Sequence, residues 1–453
     1  MKMEAYEIVA PTLRGGDTRS PKATTNPVTE CRGYFVVTAL VCILAAGCTG
    51  QDNQPQFRLN IQDILDPQII SSQSVDAFRV TGAEKDDDEV EEKQTNAQKL
   101  QFISTALYAA FGTPNEPNVF PEFRWNAEEK TGLDLKKITL AAGPYGGNAA
   151  GTQRGLFRQH CAHCHGITGD GAGPTAAFLE PYPRDYRQGV FKFKSTLNAA
   201  KPTSADLKRT IIEGIPGTAM PSFALLPNDE VEALVEYVKY LSVRGQSEML
   251  LAIMLLGGDD LPEGETPEAK AQASAEYIKE QVASVIAGWD SAKDSIVNPP
   301  ERPETSTPEE LAASIERGRT LFLSKEAQCI QCHGPTALGD GKDGGPIKDY
   351  DNWNKMKLPG DMDRWLLPKQ VLRPRNLRLG IYRGGRRPMD IYRRVHSGIG
   401  GTPMPAGGEG ATPVLKAEDI WHVVDFVLSL PYEEASEPAR FEVHETQVAG
   451  RVN

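Results

Sequence analysis

A chain of 453 residues is too long for one small domain and leads to an expectation of about two to four. With 40% hydrophobic residues, 42 Gly and 33 Pro, it has enough apolar material for packed cores joined by much loop. Its net charge of −12 is concentrated outside two weakly basic segments, 151–245 and 310–432, a balance that argues against a nucleic-acid-binding surface.

In chain order, the first feature is an apolar run from Tyr34 to Ala46. Lys22 and Arg32 precede it, and Ala45-Ala46-Gly47 closes it. Basic, apolar, then small is the order of a secretory signal, and the run is too short to span a bilayer. Leu44-Ala45-Ala46-Gly47-Cys48 resembles a bacterial lipoprotein cleavage site, at which Cys48 becomes the lipidated residue. It departs from the commonest pattern in having Ala45 where Leu is usual. An ordinary signal peptide and an uncleaved anchor are the alternatives. Residues 1–48 are therefore read as a targeting segment. It would place the chain on the periplasmic side of a bacterial membrane and associate it with that membrane.

Residues 49–149 hold no metal or catalytic motif. The run Asp86-Asp87-Asp88-Glu89-Val90-Glu91-Glu92 reads as a solvated tether, and Gln98 to Phe111 as a helix.

Two pentads carry the chemistry: Cys161-Ala162-His163-Cys164-His165 and Cys329-Ile330-Gln331-Cys332-His333. Seven Cys and seven His predict on the order of 10⁻³ such pentads by composition. Two thiols three residues apart on a helical turn can each add to one vinyl group of a single porphyrin. The adjacent His then meets the iron from one face. This is the pattern of covalent haem attachment. A zinc site would want two Cys pairs about 15–20 residues apart, and a thioredoxin-type pair would not repeat with a His in place.

Between the pentads, 246–309 reads as a linker, with a helix over Glu268 to Ala292 and a Pro-rich connector from Asn298 to Thr307. The segments around the pentads repeat each other. Gly169-Asp170-Gly171 is paired with Gly339-Asp340-Gly341, and the stretch from Pro183 to Lys192 with that from Pro374 to Arg383. Gly214 to Pro221 pairs with Gly398 to Pro405. Each copy closes on a helical pattern: Val231, Leu234, Val235, Val238 and Leu241 in one, Ile420, Val423, Val424, Val427 and Leu428 in the other. The second copy has an insertion between Gly341 and Pro374, carrying Trp353, Met356, Met362 and Trp365, suited to covering a cofactor edge or docking a partner.

On these motifs, residues 150–245 and 310–432 resemble class I cytochrome c domains, about half the chain. The resemblance implies an all-α chain with two haem domains joined by a partly helical linker, and two covalently attached haem c groups. It leaves the targeting segment, the region 49–149 of unknown fold and a tail, 433–453, outside those domains. It implies His165 and His333 as one axial ligand of each iron, with Met220 and Met404 as the other. Met356 or Met362 is a less favoured substitute for Met404. Arg184 and Arg375, in matching Pro-Arg-Asx turns, suit haem propionates. Leu156, Phe157, Leu321, Phe322, Tyr237 and Phe426 are expected where first and last helices cross. The implied function is one-electron transfer in a respiratory chain, with a quinol-oxidising complex, a terminal oxidase or a dehydrogenase as partners, and no catalysis by the chain itself. A di-haem peroxidase and an electron-transfer subunit of a separate dehydrogenase are the alternatives.

Overall fold

The computed structural model describes residues 55–57, 96–341 and 373–432, with short stretches between 355 and 370. The targeting segment, the acidic run 86–92, Met362 and the tail 433–453 lie outside the described residues.

The first half is built on one long helix. α1 (Asn96–Phe111), α2 (Leu135–Ala141) and α3 (Leu156–His160) precede the first pentad; α4 (Ala162–His165) carries it from its N-cap, Cys161. α5 (Ser204–Glu213) follows, then α6 (Asn228–Gly257) and α7 (Pro267–Asp290). Apolar residues three and four apart on α6 turn one stripe inward, and Val231, Leu234, Val238 and Leu241 are buried on it. α1, α2, α5 and α7 all pack against α6.

Two domain limits read from the sequence are not edges in the structure. Ile103, Leu107, Phe111, Leu133 and Ile138, from before residue 150, share one core with Leu234 and Leu241. The region without a motif thus completes the first core. At the other limit, Met249 to Leu256 is not a separate linker segment but the last turns of α6. The helix passes through Gly245 because that position packs on the chain at Arg187. A Cβ added there would lie 2.4 Å from Arg187 Cα.

The second half is smaller. α8 (Pro308–Leu323) leads to α9 (Cys329–His333), then come α10 (Pro388–Ser397) and α11 (Ala417–Ser429). α8 starts with a capping box, in which Thr307 and Glu310 satisfy each other's backbone N–H groups. It then crosses α11 so closely that Gly318 has no room for a side chain: an added Cβ would lie 1.9 Å from the His422 carbonyl oxygen. The aromatic crossing is present in both halves. The rings of Phe157 and Tyr237 stand 4.9 Å apart, and those of Phe322 and Phe426 5.3 Å apart.

Among the described residues the architecture is helical apart from a small hairpin in the insertion. Its strands, β1 (Lys355–Lys357) and β2 (Asp363–Trp365), pair antiparallel with Lys355 opposite Trp365, and Met356 sits on β1. The end of the insertion reaches the first half. There Tyr182 Oη donates to the Pro368 carbonyl at 2.8 Å, and Gln370 Nε2 donates to the Leu179 carbonyl at 2.7 Å. Among the described residues, no helix is long and apolar enough to cross a membrane.

Candidate functional site

Each pentad folds as a helical turn that ends on a glycine. α4 stops at Gly166 (φ 74°) and α9 at Gly334 (φ 73°), a left-handed backbone that other residues enter with strain. Behind the turns, the N–H groups of Gly171 and Gly339 donate to the carbonyls of His165 and His333, both at 2.9 Å. Those of Gly173 and Gly341 donate to Cys164 and Cys332 at 3.1 and 3.2 Å. The match of Gly169-Asp170-Gly171 with Gly339-Asp340-Gly341 is therefore corrected by two residues. Gly171 answers Gly339, and Gly173 answers Gly341, because the bonds back to the pentad fix the correspondence.

The histidines are oriented from behind. His165 Nδ1–H donates to the Arg184 carbonyl at 3.0 Å, and His333 Nδ1–H to the Arg375 carbonyl at 3.3 Å. This assigns the tautomer and leaves each Nε2 lone pair for a metal. Burial holds both imidazoles below their usual range, His165 at about 4, so both are neutral near pH 7. None of the four motif cysteines is in a disulfide. Burial raises Cys161 to about 12 and Cys329 to about 11.

The two proximal sides differ. The ring of Tyr186 stacks on His165, centroids 4.6 Å apart and planes at 17°. At the matching position the second half has Leu377, and His333 has Phe322 as its aromatic neighbour at 6.2 Å. Asp185 and Arg187, flanking Tyr186, form an ion pair whose side chains are each 1% exposed. The second half has Asn376 and Arg378 there.

The methionine loops are alike bond for bond. Ile215 N–H donates to the Met220 carbonyl, and Ile399 N–H to that of Met404, both at 3.2 Å. Thr218 and Thr402 each donate a hydroxyl hydrogen to the Ile215 or Ile399 carbonyl at 2.8 Å. Each also accepts the methionine N–H at 3.2 Å. The role of these threonines was not read from the sequence, although the Gly-Thr-x-Met-Pro pattern contains it.

Each set of residues opens on its own cavity. The first, about 160 Å³, brings together Cys161, Cys164, His165, Arg184 and Met220. The second, about 750 Å³, brings together Cys329, Cys332, His333, Arg375 and Met404. All ten residues singled out in the sequence thus fall into two groups, one per cavity. The charges on the walls are one-sided. Among the described residues, Arg184, Lys192 and Arg383 line the first cavity with no carboxylate. Lys192, Arg373, Arg375, Arg383 and Arg394 line the second against Glu326 alone. Paired thiols, a neutral imidazole, an apolar wall and cationic side chains on that wall fit haem c, an apolar macrocycle with two carboxylates. Among the described residues, no three His, Cys, Asp or Glu side chains gather to hold a metal ion, so the pentads do not present the four ligands of a structural zinc site.

The family profile described as cytochrome c matches residues 153–242 and 315–431. No curated protein matches the chain. Among solved structures, a chain of the Kuenenia stuttgartiensis reducing HAO-like protein complex Kustc0457/Kustc0458 is similar at 22% identity. The match covers 61% of this chain and 94% of that one, with a TM-score of 0.40, a likeness too low to carry an argument.

Proposed function

We propose, from the premise that residues 153–242 and 315–431 are cytochrome c domains of a di-haem c-type cytochrome, that this chain is a one-electron carrier of a respiratory chain with both irons held between histidine and methionine. Each haem c, when bound through its two thioether links, supplies a reversible one-electron couple.

The observation that carries the reading is the identity of the two methionine loops, in which Thr218 and Thr402 hold Met220 and Met404 in the same backbone conformation on the cavity wall. A packing methionine needs no such support. Histidine and methionine holding one iron between them would raise its reduction potential and would leave no place for peroxide or oxygen to bind. The chain's own residues then have three tasks. His165 and His333 are oriented by backbone carbonyls, the apolar walls exclude water, and the basic residues offset the carboxylates of the cofactor.

The redox partners we propose are a quinol-oxidising complex, a terminal oxidase or a dehydrogenase. Export to the periplasmic side of a bacterial membrane, with attachment through residues 1–48, is proposed from the sequence of that segment alone.

The test is spectroscopic. The holoprotein should show two low-spin haems per chain and no peroxide turnover. Met220→Ala and Met404→Ala should each convert one haem to a high-spin or differently ligated form. If either variant keeps the wild-type spectrum, that methionine is not a ligand. Turnover of peroxide by the wild-type protein would replace the carrier reading with an enzymatic one.

A further inference from the structure

Each methionine loop leans on the opposite half of the molecule. The Met220 loop contains a turn closed by the Thr218 N–H on the Ile215 carbonyl, and the Met404 loop contains its match, Thr402 on Ile399, both at 3.1 Å. Gly217 lies inside the first turn and Gly400 inside the second. A Cβ placed on Gly217 would lie 3.2 Å from Ile381 Cγ2 and 2.7 Å from Arg375 Nη2, both in the second half. A Cβ placed on Gly400 would lie 3.6 Å from Val190 Cγ1 and 3.3 Å from the Phe191 carbonyl oxygen, both in the first. Each turn thus meets the other half at a position where it has no side chain of its own.

Val190 and Ile381 hold the same place in the repeat, eighth in the decamers that open at Pro183 and Pro374. They line neither cavity. At 37% and 43% exposed, they also belong to none of the hydrophobic cores among the described residues. Haem contact and core packing are therefore not what these two apolar side chains provide. The side-chain contact each makes across the interface is with the turn of the opposite methionine loop. The halves are held in register around these contacts. Arg209 of α5 pairs with Asp390 of α10, Arg387 with Glu213 at 3.3 Å, and the Asn198 N–H donates to Glu409 Oε2 at 3.1 Å. Phe193 fills the place facing Gly384, where an added Cβ would lie 2.4 Å from its ring.

Two links connect each contact to a ligand atom. The turn places the threonine, and the threonine hydroxyl oxygen accepts the methionine N–H at 3.2 Å in both loops. A metal ligand is held only as firmly as the groups behind it are fixed. We propose that Val190 and Ile381 are positioning residues that act across the interface, each bracing the turn that holds the methionine ligand of the other half's haem. The proposal rests on methionine ligation at both irons, as in the function proposed above. Its consequence is a crossed dependence: a change on one side is felt at the iron of the other.

The experiment is a titration of the ferric, full-length holoprotein with imidazole. A ring nitrogen of imidazole replaces the methionine sulfur on the iron, and no electron moves. Loss of the methionine-to-iron charge-transfer absorption follows the exchange. In a Met404→Ala background that absorption belongs to the first haem, and in a Met220→Ala background to the second. Ile381→Ala should raise the apparent imidazole affinity of the first haem and leave the second unchanged, and Val190→Ala should do the reverse. The expected rise is about fourfold, the size for about one methylene taken out of contact. Ile381→Val and Val190→Ile, which keep the brace, should stay close to the parent proteins. An effect at the residue's own haem, or at neither haem, overturns the brace. Where an alanine variant assembles poorly, Ile381→Thr and Val190→Thr are read the same way. A wild-type protein without the charge-transfer absorption sinks the methionine ligation itself, whereas two such haems with uncrossed responses sink only the brace.

Discussion

Replacing Asp185 by Asn should destabilise the first half of the molecule strongly, although the repeat itself uses Asn at the matching position 376. Asp185 Oδ1 accepts from the Arg187 backbone N–H at 2.9 Å and from its Nε at 3.0 Å, while Oδ2 accepts from Nη2 at 3.1 Å. An asparagine keeps the bond to the backbone N–H, as Asn376 does to Arg378 at 3.0 Å. It removes the charge opposite a guanidinium that is 1% exposed. Breaking a fully buried pair by removing one partner costs about 3–5 kcal/mol. For a unit of this size, where 1 kcal/mol moves the midpoint by about 2–4 °C, the expected fall in Tm is about 6 °C or more. Thermal and urea melts followed by circular dichroism give the number. A second variant isolates the cause. Asp185→Asn with Arg187→Met removes both charges, and Glu248 still has Arg244 at 3.0 Å, so much of the lost stability should return. If Asp185→Asn melts with the wild type, or if the double variant loses more than the single one, the buried pair is not what stabilises the turn that presents the Arg184 carbonyl to His165.

Two glycines on helices should respond in opposite senses to alanine. At Gly318 the added Cβ meets the His422 carbonyl oxygen at 1.9 Å and Phe426 Cβ at 2.9 Å. The overpacking, about 1–3 kcal/mol, outweighs the gain in helix propensity of about 0.8–1.0 kcal/mol, so Gly318→Ala should lower the Tm of the second half. At Gly288 on α7 nothing lies within 4 Å of the added Cβ, and Gly288→Ala should raise stability by about 0.5–1 kcal/mol in the same melts. Glu232 on α6 takes hydrogen bonds from Lys137, Asn228 and Lys208, which hold its carboxyl down at about 2 against an ordinary 4.5. Its contribution is present above about pH 4.5 and fades as the pH falls toward 2. With the side chain 35% exposed, solvent screening limits it to about 1 kcal/mol or less, so wild type and Glu232→Gln should differ by that amount at pH 6 and converge near pH 2 in urea melts. Thr402→Val should weaken the hold on Met404, at about 1 kcal/mol per hydrogen bond lost, and the second haem should lose its low-spin spectrum at a lower temperature than in wild type.

The cofactor chemistry was legible in the sequence because a porphyrin imposes a fixed spacing. Two thiols three residues apart with a histidine beside them have few other uses, and their repetition set Met220 against Met404 before any coordinates. The region 49–149 was not legible in this way. Ile103, Leu107 and Phe111 sit at ordinary helical spacing, and such a pattern says that a face is buried without saying against what. The end of α6 was hidden for a similar reason. The apolar stretch Met249 to Leu256 and the inward stripe of α6 are separated by Arg244, Gln246 and Glu248, residue types that mostly face solvent. Arg244 and Glu248 are instead buried as an i,i+4 pair, with the Arg244 guanidinium 4.2 Å from the centroid of the Phe57 ring, so the polar interval belongs to the interior.

The internal repeat held more than was taken from it. Used as an alignment, it paired residues between two domains and suggested equal roles for them. A duplicated unit that packs against its copy brings equivalent positions face to face, and those on the axis can no longer be equal. Phe193 and Gly384 are the sharpest case, for a phenylalanine at both would not fit and a glycine at both would leave a hole. The same reasoning explains why Arg184 and Arg375 diverge in use. Arg375 reaches across to Gly217 of the other half, while its Nε donates to the Ile381 carbonyl at 2.9 Å. Departures from the repeat in Pro183–Lys192 and Pro374–Arg383 therefore mark the partition between the two cavities, which Lys192, Phe193 and Arg383 line from both sides.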